Sequence, residues 1–515
     1  MSAASTATWP APDPLVGKDL ALAALFLALA NFLVVLDTTI ANVSVSHIAG
    51  GLAVSTNEGT YVITSYAVAE AITVPLTGWL ARRFGTLKAF TSCTLLFGFF
   101  SALCGFAGSL ETLVIGRVLQ GFAGGPLMAL SQTLLMQIFP KEKQGAAIGL
   151  WSMTTLVAPV MGPIFGGYIC DNWGWSFIFY INIPIALLCS FGTLNLLRRF
   201  ETPLFKDKMD FVGLALLVTW VGALQLMLDE GKKYDWFESK FICLLLIIAG
   251  LGFISFLIWE LTQKRPIVDL RIFRHRGYFA SVLTISLAFG AFFGSVVLTP
   301  LWLQTFMGYT ATWSGYATAC MGILAVFVAP FAAQLSKQYD PRKLVFMGVV
   351  WLGMVTFYRS FNTTDMTYAQ IAIPMLLQGI GLPFFFIPLS GLALASVKPE
   401  EVASAAGLMN FSRTLCGAFA TSIVTTSWES QVNIFRTDLV SSITLPESLM
   451  GLLGNVPLTA QNTAFYLLDQ LIQSQAVMLA TNKIFLLVSF TFAFAACAIW
   501  LAPKPKKPMN GPAPH

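Results

Sequence analysis

Fourteen apolar runs, each of about twenty residues, leave this chain few ways to fold. A hydrocarbon layer of roughly 30 Å is crossed by about 20 residues of α-helix. Inside that layer every backbone N–H and C=O must be satisfied within the chain, so runs of this length are read as helices. They fall near 20–44, 59–81, 89–109, 112–136, 146–168, 176–197, 211–228, 240–260, 279–302, 313–335, 343–361, 368–394, 403–427 and 483–501. Only 11% of the 515 residues are charged, where a soluble domain carries roughly a quarter. The expected class is therefore an all-α membrane protein with 14 transmembrane helices. The start of the chain, up to Gly17, is polar and rich in proline, with no basic stretch or small-residue cleavage site, so no cleaved signal peptide is expected.

Basic residues set the expected orientation, because cytoplasmic loops carry the excess of Lys and Arg. The even-numbered connections hold Arg82, Arg83, Lys88, Arg198, Arg199, Arg271, Arg274, Arg276, Arg342 and Lys343, and the tail adds Lys504. The odd-numbered connections hold little beyond Lys232, Lys233 and Arg436. Both termini are thus expected in the cytoplasm of a multi-pass membrane protein. The net charge of +5 reflects this asymmetry and gives no reason to expect a nucleic-acid partner.

The chain also repeats itself. VPLTGWLARRFGTLK (Val74 to Lys88) resembles APFAAQLSKQYDPRK (Ala329 to Lys343) at an offset of 255, and LQGFAGGPLMALS resembles LQGIGLPFFFIPLS at 258 to 259. Runs 1–6 therefore correspond to runs 9–14, and two runs are inserted between. An even insertion keeps the halves parallel, an arrangement that transporters rock about a central cavity. The expected division is a tail at 1–19, a six-helix bundle at 20–200, the inserted pair at 201–277, a second bundle at 278–501 and a tail at 502–515. The second bundle includes a long outer connection, 428–482, whose apolar residues recur at helical spacing and which reads as a solvated helix or a docking surface.

Charges inside the runs are the functional candidates. A carboxylate at the centre of a membrane helix costs about 2.5–3.5 kcal/mol even on lenient insertion scales. Asp37 lies in LDTTIANVSVS, roughly 10 Å from the outer end of run 1 at about 1.5 Å per residue, and Arg117 lies at a similar depth in run 4. Either they form a permanent ion pair, or protonation of Asp37 releases Arg117 and biases two states. Glu70, near the middle of run 2, could carry a proton, pair with a cationic substrate or bond to neighbouring helices. Its aligned position in the second half is Ala325, and runs 9–14 hold no acid as deep. Asn42 and Gln120, the trio Phe384, Phe385 and Phe386, and Arg413 in run 13 are candidate substrate-binding residues.

Run 5 carries APVMGPIFGG. Gly162 and Gly166, four apart, make a small face for close helix approach, with Gly167 beside them. Pro159 and Pro163 remove intrahelical hydrogen bonds and favour a bend. Eight cysteines are scattered without a CxxC, and three histidines fall in loops or the tail, so no metal site is expected. A phosphate-binding GxxxxGK[ST] loop, HExxH and a convincing nucleophile elbow are absent from the sequence, which argues against direct ATP use and against an intramembrane enzyme.

Together these segments resemble the fourteen-helix drug:proton antiporters of the major facilitator superfamily. LDTTIANVSVS resembles their first-helix signature. GWLARRFGTLK, with Gly78, Arg82, Arg83 and Gly85, resembles the loop 2–3 motif. RVLQG, GPIFGG and NFSRTLCG resemble the helix 4, helix 5 and helix 13 motifs. LTGWLARR, LWSMTTLVAPVMGPIFGGYICDNWGW, IVDLRIF and GYTATWSG are similar to the inner-membrane pumps of tripartite exporters. The resemblance implies the major-facilitator fold and export of hydrophobic toxic compounds, driven by the proton gradient without a cofactor. It also implies proton coupling through Asp37 and Arg117, a periplasmic membrane-fusion adaptor and an outer-membrane channel. Two departures stand out: Arg82 replaces the usual acid of the loop motif, and Ser46 replaces the proline that usually ends the first signature. A proton-coupled carrier for a defined metabolite, or a receptor without transport, are the alternatives.

Overall fold

The computed structural model describes residues 13–140, 143–204, 209–264, 266–442 and 458–504. The ends of both tails, and the 443–457 part of the expected outer connection, lie outside the described residues. The long helices in chain order are α1 (Gly17–Gly51), α2 (Tyr61–Thr73), α3 (Thr86–Gly105), α4 (Leu110–Ile138), α5 (Gln144–Trp173), α6 (Asn182–Leu197) and α7 (Phe211–Glu230). They continue with α8 (Lys240–Thr262), α9 (Arg276–Thr305), α10 (Ala311–Gln338), α11 (Pro341–Tyr358), α12 (Tyr368–Ala395), α13 (Val402–Ser442) and α14 (Leu458–Ala498).

Among the described residues eleven helices are long and apolar enough to cross a membrane, and α5 makes twelve if its two limbs count as one span. The other two expected runs fall short for physical reasons. Pro75 has no N–H to donate, and a 3₁₀ turn at Val74–Leu76 divides α2 from its continuation, Thr77–Phe84. α13 carries Arg413 among Asn, Ser and Thr, which lowers its hydropathy. The architecture is consistent with fourteen spans. The limbs of α5, Gln144–Pro159 and Ile164–Trp173, meet at 49°, where the two prolines stand.

By contacts the chain divides into two compact units. The first comprises Met1–Gln225, Leu245–Arg274 and Leu394–Phe411; the second comprises Leu226–Leu244, His275–Ala393 and Ser412–His515. The inserted pair α7–α8 is therefore shared: its bulk belongs to the first unit and its connecting end to the second. The first turns of α13 also belong to the first unit.

Small residues set the close approaches in the first unit. A side chain at Gly121 or Gly125 of α4 would collide with α2, at the carbonyl oxygens of Tyr66 and Glu70 respectively. This glycine face lets α2 and α4 meet backbone to backbone. Gly162 faces Thr39, and Gly166 faces Ile40 and Val43, so the glycines of α5 seat α1 within two turns of Asp37. Farther along, the Trp220 ring lies 5.0 Å from Phe253 and 5.9 Å from both Phe256 and Phe411. Glu260, at the end of α8, is fully buried and its Oε2 accepts from the Val268 N–H at 3.2 Å, fastening the returning chain.

In the second unit α13 and α14 run side by side well past their apolar parts. Trp428 Nε1 donates to Thr481 Oγ1 at 2.9 Å, Lys483 Nζ to Gln431 Oε1 at 2.7 Å, and Arg436 pairs with Asp469 at 2.8 Å. Much of the expected outer connection is thus a two-helix extension.

Candidate functional site

The Asp37 carboxylate is buried in the first unit and accepts from three side chains. Arg117 Nη1 donates to Oδ2 at 2.6 Å, while Asn182 Nδ2 and Gln120 Nε2 donate to Oδ1 at 2.6 and 3.0 Å. Arg117 and Gln120 stand one turn apart on α4, so both reach α1 from the same face. Asn182 opens α6 and also donates to Ser101 Oγ of α3 at 3.0 Å. Ser101 in turn donates to the Phe179 carbonyl at 2.8 Å.

Arg117 is held as firmly as its partner. Its Nε donates to the Val62 carbonyl of α2 at 3.1 Å, and its Nη1 also reaches Gln120 Oε1 at 2.8 Å. The Tyr66 ring lies 4.2 Å from the guanidinium carbon. The Val62 contact exists because the α4 glycines let α2 approach. Five helices, α1, α2, α3, α4 and α6, therefore converge on one ion pair.

This arrangement fits an ionised carboxylate. Three donors point at its oxygens, and a neutral carboxyl would present an O–H where acceptors are scarce. Such an O–H would need the Gln120 amide to turn, or one helix to withdraw. Charge-assisted hydrogen bonds of this length are about twice as strong as neutral ones.

The other candidates fall into separate places. Gln120, expected as a substrate contact, holds Asp37. Asn42 is exposed five residues beyond Asp37 and makes no part of the cluster. Glu70 is half-buried on α2, one turn past Tyr66. In the second unit the Arg413 guanidinium lies 4.8 Å from the Phe289 ring and 5.5 Å from Phe386, so two of the candidates do meet there. Phe385 and Phe386 are buried and Phe384 is half-buried against the α11 side that carries Gly348.

At the loop motif, Arg82 Nη1 donates to Ser404 Oγ at 3.1 Å, and Gly78 leaves room for that serine. Arg83 is exposed. Gly85 adopts φ +88°, which favours glycine. The following N-terminus of α3 is capped from the chain after α6: Glu201 accepts from the N–H groups of Leu87 and Lys88, each at 3.1 Å. Near the bend of α5, Pro159 is half-buried, Gly162 and Gly166 are buried, and Gly167 is half-buried; the side chain of Pro163 lies outside the described residues.

Sequence reasoning passed over Asn182, Tyr66 and Glu260. Asn182 is a lone amide at the head of an apolar helix, and Glu260 sits at the last position of run 8. An amide or acid inside an apolar segment is the signal that could have found them.

A bundle of long apolar helices, built around a buried ion pair and carrying an internal sequence repeat, defines a polytopic secondary carrier. Residues 27–421 match the Major Facilitator Superfamily, and the chain belongs to that family. It is 40% identical over 497 residues to the Multidrug export protein EmrB of Escherichia coli (strain K12), covering 96% of this chain and 97% of that protein. It is 41% identical to the Fatty acid resistance protein FarB of Neisseria gonorrhoeae, covering 96% and 98%. Among solved structures, the proton:xylose symporter XylE bound to 6-bromo-6-deoxy-D-glucose has the same fold, with a TM-score of 0.60 at 13% identity over 95% of this chain and 97% of that one.

A double-mutant cycle measures the coupling. Arg117→Met strands a buried carboxylate and is expected to cost about 3–5 kcal/mol. Adding Asp37→Asn should recover part of that loss, read from chemical or thermal unfolding of the purified protein. Strict additivity would mean that the pair is not coupled.

Proposed function

We propose that the protein is a proton-driven multidrug efflux pump, which exports hydrophobic toxic compounds from the inner membrane by alternating access. Both termini are cytoplasmic, and the proton gradient takes the place of a cofactor. The observation that carries this reading is the buried carboxylate of Asp37 under three converging donors. The export and resistance functions in the names of the EmrB and FarB relatives support the direction and the substrate class.

The proposed cycle follows from the donor set. A proton on Asp37 removes the negative charge facing Arg117 and places an O–H among donors. Relief requires α1 to shift against α4 or α6. Because the α5 glycines seat directly on α1, a shift of α1 is passed to α5 at its bend. Glu70, a turn from the Tyr66 ring on Arg117, either shares the proton or faces a cationic drug. Arg413 with Phe289 and Phe386 offers an aromatic surface with a positive charge for substrate.

In proteoliposomes, Asp37→Asn is expected to abolish drug-triggered proton flux while the protein remains folded. Full coupled transport by that variant would overturn Asp37 as the carrier. Glu70→Gln separates its two roles: loss for cationic drugs alone marks a substrate ligand, and loss for neutral drugs as well marks a share in coupling.

The same reading gives the pump a periplasmic membrane-fusion adaptor (EmrA-like) and, through it, an outer-membrane channel (TolC-like). The paired extension of α13 and α14, with exposed Ile434, Val440, Phe465, Tyr466 and Leu471, supports an adaptor surface. Replacing residues 436–470 by a short glycine linker should leave basal antiport intact and abolish adaptor capture. Retained capture would move that interface elsewhere.

A further inference from the structure

The second unit holds a cluster built like the one at Asp37, with its carboxylate missing. VVLT (Val296 to Thr299) in α9 resembles VVLD (Val34 to Asp37) in α1, so Thr299 stands where Asp37 does. The LQG repeat likewise sets Gln378 of α12 against Gln120 of α4. A cation completes the group here too, but it comes from another helix: Arg359, in the turn that ends α11. Its Nη2 donates to Thr299 Oγ1 and its Nη1 to Gln378 Oε1 at 3.4 Å. The Phe485 ring covers it, with the centroid 4.1 Å from the guanidinium carbon.

The charge meets no acid among the described residues. Arg359 is 3% exposed, while Thr299 and Gln378 are fully buried. Among the described residues no carboxylate lies within 4 Å of it. Gln378 Nε2 is also buried and meets no acceptor among the described residues. A guanidinium always remains charged, so it cannot escape the burial cost by releasing a proton. One fixed positive charge and one idle N–H donor, beside a hydroxyl in the place of an acid, form the complement of an anion.

We propose that Arg359, Gln378 and Thr299 bind a monovalent anion, which takes the place that the Asp37 carboxylate fills in the first unit. The ligand is either a halide from the aqueous phase or the carboxylate of an amphipathic substrate. Both supply a single negative charge and accept from Arg359 and Gln378 Nε2. Binding here is independent of the protonation proposed at Asp37 and survives its failure.

The test is thermal unfolding of the purified full-length protein in detergent at constant ionic strength. Chloride or hexanoate is titrated in place of a bulky sulfonate, the morpholinoethanesulfonate anion. A ligand that binds the folded state at a hundredfold above its Kd is expected to raise the wild-type midpoint by about 3 °C, and the midpoint should keep climbing with the logarithm of its concentration. A response to chloride alone identifies a halide site, and a response to hexanoate identifies a site open to substrate carboxylates. Arg359→Gln should lose the response. Thr299→Asp supplies the missing carboxylate internally, and should be more stable than the wild type in sulfonate and insensitive to either anion. A wild-type midpoint that neither anion moves overturns the proposal, as does a response that persists in Arg359→Gln or Thr299→Asp.

Discussion

The first unit depends on a buried carboxylate whose two oxygens are met by donors from neighbouring helices. Asp37 draws those donors from α4 and α6, and each donor is itself anchored. Arg117 is tied to the α2 backbone through Val62, and Asn182 to α3 through Ser101. Losing the Arg117 side chain would strand the buried carboxylate, which in a low dielectric costs more than the link itself contributes. The ion pair is therefore better understood as a constraint on helix positions than as a source of net stability. The glycines at 121, 125, 162 and 166 follow from the same constraint, because the side chains meet only if the backbones come close.

Much of this was legible in the sequence, and for a physical reason. Hydrophobic length and the bias of basic residues act on every span alike, so they can be read without knowing which helix touches which. Asp37 and Arg117 could be matched by depth because charges are rare enough in apolar runs for two at one level to implicate each other. The bend of α5 followed from Pro159 and Pro163. Amides escaped that logic. Asn182 costs far less to bury than a charge, so a lone amide in an apolar run is a weaker signal and does not name its partner. Gln120 was singled out but given to substrate, since a sequence does not say which way a side chain on a helix points.

Arg359 was hidden differently. It stands at the edge of an apolar run, where a cation normally marks the start of a loop, and its long side chain carries the charge back inward. Glu260 reads the same way at the end of α8 and is drawn in by the Val268 backbone. Terminal charges of this kind are ambiguous because a span's boundary is uncertain by several residues, about the reach of an extended arginine or glutamate. The pairing of α13 with α14 beyond their apolar parts was open for a related reason: helical spacing of apolar residues shows a helix but not its neighbour, and the links Arg436–Asp469 and Lys483–Gln431 join residues far apart in sequence.

The two halves thus place Thr299 and Gln378 where Asp37 and Gln120 stand, bring in the cation from a different helix, and differ in charge. In the first, an acid, an arginine and a glutamine sum to zero when the acid is ionised and to one positive charge when it is not. In the second, a threonine, an arginine and a glutamine carry that positive charge permanently. A proton can change the electrostatics of the first cluster alone, since neither a hydroxyl nor a guanidinium titrates in the physiological range. If both clusters fix the packing of their helices, proton entry unsettles one half against a partner whose own cluster does not answer to pH. That asymmetry is what a coupled carrier requires: were both halves to respond to the same proton in the same way, its binding would favour neither access state, because a ligand shifts an equilibrium only through unequal interaction with the two states.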